Sequence, residues 1–411
     1  MIDLFLLKNG LRVALVPIKG SQSVTVLALI KGGSRYESPE EEGLAHFYEH
    51  MLFKGTQKYP SKKDWALKAD QVGAEYNGAT AQEYTFYYLK TAKNDLPVGL
   101  DLISQLVIYP LLKEEEIETE RGVIKEEVHM YEDLPDLKAE LELGKLLYPR
   151  HPLGKSGLGR PETIDRFKAK DFKNFGRRFY TAEKTVLVVA GGVGKKDRAL
   201  IESFWGGMKK GKKQTFLPVG ALGKKKLKKV NRSSDQIHLA LGMRALPRSS
   251  SLRFAQTLFN IILGQGMSSR LFQRVREEEG LCYSVRSTVD LFQDTAVLEV
   301  QAGLNKKKLS LGRKRIREEL FSLAEKGASD EELAKAKSFF RGQLVLQLED
   351  SFRRALFYAK QAALEEKTLS PNEVMARIDA VSLADIKKVG RKIVDAKKIK
   401  EVLVGDLKDG Q

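Results

Sequence analysis

One order of elements runs through this chain twice, and that repetition constrains the fold more than any other feature. Apolar Leu4, Leu6, Leu11, Val13 and Leu15 alternate around Asn9-Gly10, a strong hairpin-turn dipeptide. A Val- and Leu-rich strand at 23–30 follows, and an acidic stretch with Pro39 leads into a helix at 42–53. A helix at 62–72, strands at 73–80 and 84–91, long helices at 95–108 and 113–132, irregular sequence with Pro149, Pro152 and Pro161, and a strand at 185–190 complete the set. From Asp235 the order restarts: strand 237–243, helices 252–263 and 269–279, strands 283–292 and 296–304, long helices, and a closing strand at 401–404. The repeat lies in the elements and not in residue identity, which implies two similar domains related by duplication. Strands in adjacent pairs with clustered helices predict an α+β fold, each domain a mostly antiparallel or mixed sheet covered on one face by helices. A chain of 411 residues is also too long for one comfortable core.

The boundary is expected in a lysine-rich connector. Between residues 207 and 232 lie Lys209, Lys210, Lys212, Lys213, Lys224, Lys225, Lys226, Lys228, Lys229 and Arg232 with no acid, more than half of the net charge of +17. Gly211, Pro218, Gly220 and Gly223 punctuate the segment, and it has no helical apolar period. The expected domains are therefore 1–206, a basic linker at 207–234, and 235–411. Only Phe216 interleaves the lysines as a base-stacking residue, so a solvated linker is the reading and nucleic acid is not an expected partner. No run of apolar residues reaches the roughly 18 to 20 that a membrane span needs, and the first residues lack a signal peptide's basic start and apolar core. With a single cysteine, Cys282, no intramolecular disulfide or cysteine-built zinc site can form, and the expected location is cytoplasmic.

Chemistry concentrates in His46-Phe47-Tyr48-Glu49-His50, inside a segment that reads as helical. Positions four apart share a helix face, so His46 and His50 can direct two ring nitrogens at one ion, with Glu49 in reach of a metal-bound water. This H-x-x-E-H order is a known metallopeptidase arrangement. In the helix at 113–132, Glu120 and Glu127 are two turns apart on one face with Val123 and Ile124 between them. Glu127 can complete a two-histidine, one-glutamate set, and Glu120 can support a ligand or water from behind. Glu126 is the rival, although helix phase turns it some 100° away. A surface pair of His46 with Glu49 and a core role for His50 is the bland alternative. In the second half Gln256, Phe259 and Asn260 occupy the place of a repeated motif, and none is a good zinc ligand, so one Zn2+ per chain is expected.

His46 to His50 followed by Met51-Leu52-Phe53-Lys54-Gly55-Thr56, with seventy-six residues between His50 and Glu127, resembles the pitrilysin family of zinc peptidases over nearly the whole chain. The resemblance extends to 73–85, similar to the family's substrate-binding strand, and to 263–272 and 276–284 in the C-terminal domain. It implies that His46, His50 and Glu127 are zinc ligands, that Glu49 is the base and that Glu120 supports the site. It also implies that Asn77, Gly78, Ala79 and Thr80 bind substrate, and that Arg276 and Tyr283 reach toward substrate. Read from the residues alone, Arg276 could make only surface pairs and Tyr283 could be core. Because four such domains form a hollow clamshell in the family, a homodimer is implied, with a hetero-oligomer as the other possibility. The expected function is a zinc-dependent metalloendopeptidase acting on extended, unstructured peptides. The alternatives are a non-catalytic scaffold or one subunit of a hetero-oligomeric processing peptidase, and, further off, a basic nucleic-acid binder.

Overall fold

The computed structural model describes residues 2–212 and 215–407, so Lys213 of the basic segment lies outside the described residues. Among the described residues eleven strands form two sheets. The first contains β1 (Asp3–Leu6), β2 (Arg12–Pro17), β3 (Ser23–Ile30), β4 (Glu75–Thr80), β5 (Thr85–Ala92) and β6 (Thr185–Gly191), in the order β1-β2-β6-β3-β5-β4. The second contains β7 (Leu227–Asn231), β8 (Gln236–Ala245), β9 (Cys282–Leu291), β10 (Ala296–Asn305) and β11 (Lys400–Gly405), in the order β7-β11-β8-β10-β9. Both are mixed. β2 runs parallel to β6 and β7 parallel to β11, and every other neighbour is antiparallel. Strand for strand, β2-β6-β3-β5-β4 matches β7-β11-β8-β10-β9, so the duplication seen in the order of elements is also a duplication of topology. In each sheet the last strand, β4 or β9, is a free edge.

The helices are α1 (Leu44–Leu52), α2 (Lys62–Asp70), α3 (Leu96–Ile108), α4 (Glu114–Asp133), α5 (Pro135–Leu147), α6 (Pro161–Ile164), α7 (Ala169–Phe179) and α8 (Arg198–Trp205). From the second half come α9 (Arg253–Gly264), α10 (Leu309–Lys326), α11 (Asp330–Glu349), α12 (Ser351–Leu364), α13 (Pro371–Asp379) and α14 (Leu383–Ile393). None of them is long and apolar enough to cross a membrane. The segment expected as an α-helix at 269–279 is a π-helix at Phe272–Glu278, and the basic connector contains a strand, β7, where no element was expected. In β7 the partly buried Leu227 and Val230 pack inward, while Lys228 reaches the buried Glu142, so a lysine-rich stretch is held in a sheet. The region expected as irregular around Pro149, Pro152 and Pro161 contains a single helical turn at Pro152–Gly154 and α6 at Pro161–Ile164, and the helices α5 and α7, which were not expected, lie on either side of it.

The chain forms two compact units that are not contiguous in sequence: residues 1–128, 156–217 and 345–368 in one, and 129–155, 218–344 and 369–411 in the other. The expected division at 207–234 does not follow this path, because two helices change sides. In the first unit, one face of the sheet carries the main core with Phe47, Tyr48, Met51, Leu100, Leu106, Ile124 and Phe172, and the opposite face is covered by α12. Ala355, Tyr358, Ala359 and Ala362, at helical spacing, lie on Ala14, Val16, Leu27, Leu29, Val186, Val188 and Ala190. Small residues on that stripe let the helix axis approach the sheet closely. A buried hydrogen bond between Thr25 Oγ1 and Ser351 Oγ at 2.8 Å, and Phe352 stacked on Tyr88 at 3.9 Å between centroids, set its register. In the second unit α5 does the same for the other sheet, with Ala139, Leu143, Leu146 and Leu147 against Ala240, Val297, Val402 and Val404. Sequence order alone hides this, because each covering helix follows a long helix (α4 or α11) in the opposite half.

Candidate active site

The site stands on α1, whose start is fixed by a glycine and a buried acid. Gly43 sits at φ 94, and a Cβ there would come within 2.4 Å of Gly159 Cα, so only glycine can begin the helix at this point. The buried Glu37 carboxylate accepts the Gly43 N–H at 3.0 Å and the Ala45 N–H at 2.8 Å, which satisfies two of the donors a helix start leaves orphaned. Tyr48, Phe47 and Met51 bury one side of the helix in the core and turn His46, Glu49 and His50 the other way.

Opposite α1 lies α4, and the two helices face each other through charged side chains. Nε2 of His46 and Nε2 of His50 each lie 3.6 Å from Glu127 Oε2, and one ligand atom from each residue lies within 4.8 Å of the other two. Among the described residues this is the one group of three or more His, Cys, Asp or Glu side chains close enough to hold a metal. Two imidazole nitrogens and a carboxylate oxygen converging on one point are the donor set that a catalytic zinc takes, with a coordination position left open. Burial, and then the neighbouring His50, lower the His46 pKa to about 3, so its ring is neutral and has a lone pair to donate. His50 Nδ1 lies 2.9 Å from Glu120 Oε1. A carboxylate only accepts, so Nδ1 carries a proton and Nε2 is the atom left facing Glu127. Burial lowers the His50 pKa, but the Glu120 hydrogen bond and the nearby Glu49, Glu120 and Glu127 charges outweigh it and raise it, so a metal would take Nε2 in place of a proton.

Glu49 points to the free edge strand. Thr80 Oγ1 donates to Glu49 Oε2 at 2.6 Å, and a Cβ at Gly78 would press on Glu49 Cγ at 3.3 Å. β4 therefore carries a hydroxyl that orients Glu49 and a glycine that makes room for it. Burial raises the Glu49 pKa, opposed by the Thr80 hydrogen bond and by His50. Asn77, Gly78, Ala79 and Thr80 lie along β4, which pairs with β5 on one side only. The strand itself was legible as a candidate at 73–80, but the bond from Thr80 to Glu49 was not, since it joins residues 31 apart in sequence.

Arg276 and Tyr283 belong to the other unit, and the structure brings these two together. The Arg276 guanidinium lies 4.7 Å from the Phe272 ring centroid and 5.4 Å from that of Tyr283, which is 73% exposed at the start of edge strand β9. Arg276 and Phe272, four apart, lie about one turn from each other within the π-helix. Where a repeated metal motif would fall, the buried Gln256 is bound to the Leu246 backbone at both ends. Glu126 is exposed and stands outside the His46, His50, Glu127 group. Glu127→Gln is accordingly expected to weaken zinc binding by more than about 100-fold, a larger loss than outer partners cause, while Glu126→Gln leaves it unchanged. Competition against a calibrated chelator measures both.

Fold and donor set together define a class: a duplicated α+β chain in which one unit carries an inverted H-x-x-E-H helix facing a glutamate-bearing helix. The chain belongs to peptidase family M16. Residues 12–160 match the family model described as insulinase (peptidase family M16), and residues 166–340 match the model described as the peptidase M16 inactive domain. It is 34% identical to a chain of Streptomyces coelicolor described as an uncharacterized zinc protease, over 98% of this chain and 90% of that one. It is 32% identical to a Bacillus subtilis chain of the same description, over 96% of each. Among solved structures, a protease from Helicobacter pylori superposes with a TM-score of 0.91 at 23% identity, covering 98% of this chain and 99% of that one.

Proposed function

We propose that this protein is a zinc-dependent endopeptidase that hydrolyses extended, unstructured peptides, with one zinc per chain. The observation that carries the reading is the convergence of His46, His50 and Glu127 beside a Glu49 carboxylate that is already oriented. In this reading His46, His50 and Glu127 hold the metal and Glu120 fixes the His50 ring. Zinc bound there supplies Lewis-acid chemistry, polarising a carbonyl and acidifying water. Glu49 takes the proton from the attacking water at its carboxylate and returns it to the departing amine, so no covalent intermediate on the protein is needed. The Thr80 hydroxyl holds Oε2, leaving Oε1 for that transfer.

Asn77, Gly78, Ala79 and Thr80 hold the substrate by adding it as a strand to the free edge of β4. Backbone hydrogen bonds then give most of the affinity, and a peptide still paired in its own sheet is excluded. Arg276 and Tyr283 are assigned as donors to the substrate carbonyl where charge develops, supplied by a second copy in a homodimer. Activity that persists undiminished at dilutions that dissociate the dimer rules out that arrangement. The catalytic reading is tested by incubating the purified protein with a mixture of unstructured peptides, with and without a chelator. Cleavage that the chelator stops, and that added zinc restores, is the expected result. No cleavage by the zinc-loaded protein moves the assignment to a scaffold or a subunit of a hetero-oligomer.

A further inference from the structure

Beyond the residues assigned above, the facing surfaces of α1 and α4 continue by one more rung. His46, His50 and Lys54 are spaced four apart, so the third residue falls on the stripe of the two histidines, just past the last turn of α1. The Lys54 N–H bonds to Met51 O, which keeps the backbone coiled through this position. Across from the stripe, Glu127 faces His46 and His50, and Glu120 faces His50 and Lys54. The four contacts form an antiparallel ladder. Its last rung is an ion pair between Lys54 Nζ and Glu120 Oε2, with the two side chains 14% and 7% exposed.

Glu120 thus has one oxygen on His50 Nδ1 and the other on Lys54 Nζ. A carboxylate bound at one oxygen can still rotate about its last bond. Held at both, it presents Oε1 to the imidazole in a fixed plane. We propose that Lys54 is a positioning residue of the metal centre: by holding Glu120, it sets the orientation of the His50 ring and so the direction of its Nε2 lone pair. This rests on the assignment of His46, His50 and Glu127 as the metal-binding set. Lys54 touches no ligand atom itself and acts only through Glu120. A long ammonium side chain suits the task, since its flexible stem lets a residue just past α1 bring its charged head to a nearly buried acid. Removing it strands the Glu120 carboxylate with half its partners gone, and such a carboxylate rotates or draws in water.

The test measures zinc affinity directly, by chelator competition on the full-length protein, so that it does not depend on turnover. Four variants are compared with the wild type: Lys54→Met, Lys54→Arg, Glu120→Gln and the double variant Lys54→Met with Glu120→Gln. Lys54→Met is expected to weaken zinc binding by about 10-fold or more, in the range found for residues that orient metal ligands. Lys54→Arg, which keeps the charge and the donors, is expected to restore affinity to within about 3-fold. The double variant should bind no more weakly than Glu120→Gln alone, because Lys54 has nothing left to act through. Thermal unfolding of the zinc-free proteins identifies any variant that has merely lost its fold. Unchanged affinity in Lys54→Met, or losses that multiply in the double variant, overturns the role of Lys54 and leaves the metal site standing. A wild type that binds no zinc overturns both.

Discussion

Glu49→Gln is expected to abolish measurable peptide hydrolysis while the protein keeps its fold and its zinc. The argument is geometric. Glutamine has the shape of glutamate, and its amide oxygen can still accept the Thr80 hydroxyl that now bonds Oε2 at 2.6 Å. Space at Gly78 is unaffected, and His46, His50 and Glu127 are untouched. What disappears is a basic oxygen able to take a proton and give it back. General-base contributions of this kind are worth about 10²- to 10⁴-fold, or roughly 3 to 5.5 kcal/mol of barrier at 1.36 kcal/mol per factor of ten. The measurement is paired: turnover of an unstructured peptide, and zinc content by metal analysis, on the same preparation. Loss of turnover with zinc retained assigns Glu49 to proton transfer. Turnover within a few-fold of wild type means that another group removes the proton, and loss of zinc together with turnover means that Glu49 holds the site together.

The cluster of His46, His50 and Glu127 was legible in the sequence because most of it is local. His46, Glu49 and His50 lie within five residues on one helix, and the phase of a second helix brings Glu120 and Glu127 to one face, with Glu126 turned away. Periodicity carries that much. It also carries the order of elements, hence the duplication and the mixed sheets. Contacts across distant segments were less accessible. The Thr80 hydroxyl on Glu49 depends on the pairing of β4 with β5, and the ion pair of Lys54 with Glu120 depends on how α4 lies against α1. Composition misled once: a run of lysines reads as solvated linker, yet Lys228 finds the buried Glu142 and the strand forms around it. The passage of α12 and α5 to opposite units has no local signature at all. An alanine stripe such as Ala355, Ala359 and Ala362 marks a buried helix face without saying which sheet buries it.

That exchange makes the second large prediction: residues 1–206, the domain a linear reading would cut out, are expected not to fold alone. The fragment carries every strand of the first sheet and both helices that bring His46, His50 and Glu127 together, but it lacks 345–368. Without α12, the outer face of the sheet exposes Val16, Leu27, Leu29, Val186 and Val188, all now at most 4% exposed, together with Ala14 and Ala190. At roughly 1.5 to 3 kcal/mol for each large apolar side chain, the loss is on the order of 10 kcal/mol. That is as large as the whole stability of a typical domain. The fragment should therefore bind an apolar dye, associate, and show no cooperative transition in urea. Adding a synthetic peptide of residues 345–368 should restore a cooperative transition, because the missing contacts belong to that segment and it buries its stripe on the sheet. In the full chain, Ala359→Asp places a carboxylate on the fully buried stripe and should cost several kcal/mol. A fragment that unfolds cooperatively by itself, with the urea dependence expected of about 200 residues, would mean that α12 is an accessory to a self-sufficient sheet. Failure of both fragment and point variant, with rescue by the peptide, makes the two halves of the sequence obligate partners: the unit that bears His46, His50 and Glu127 is completed only after residues 345–368 have been synthesised, so that cluster can assemble only once the second half is largely made.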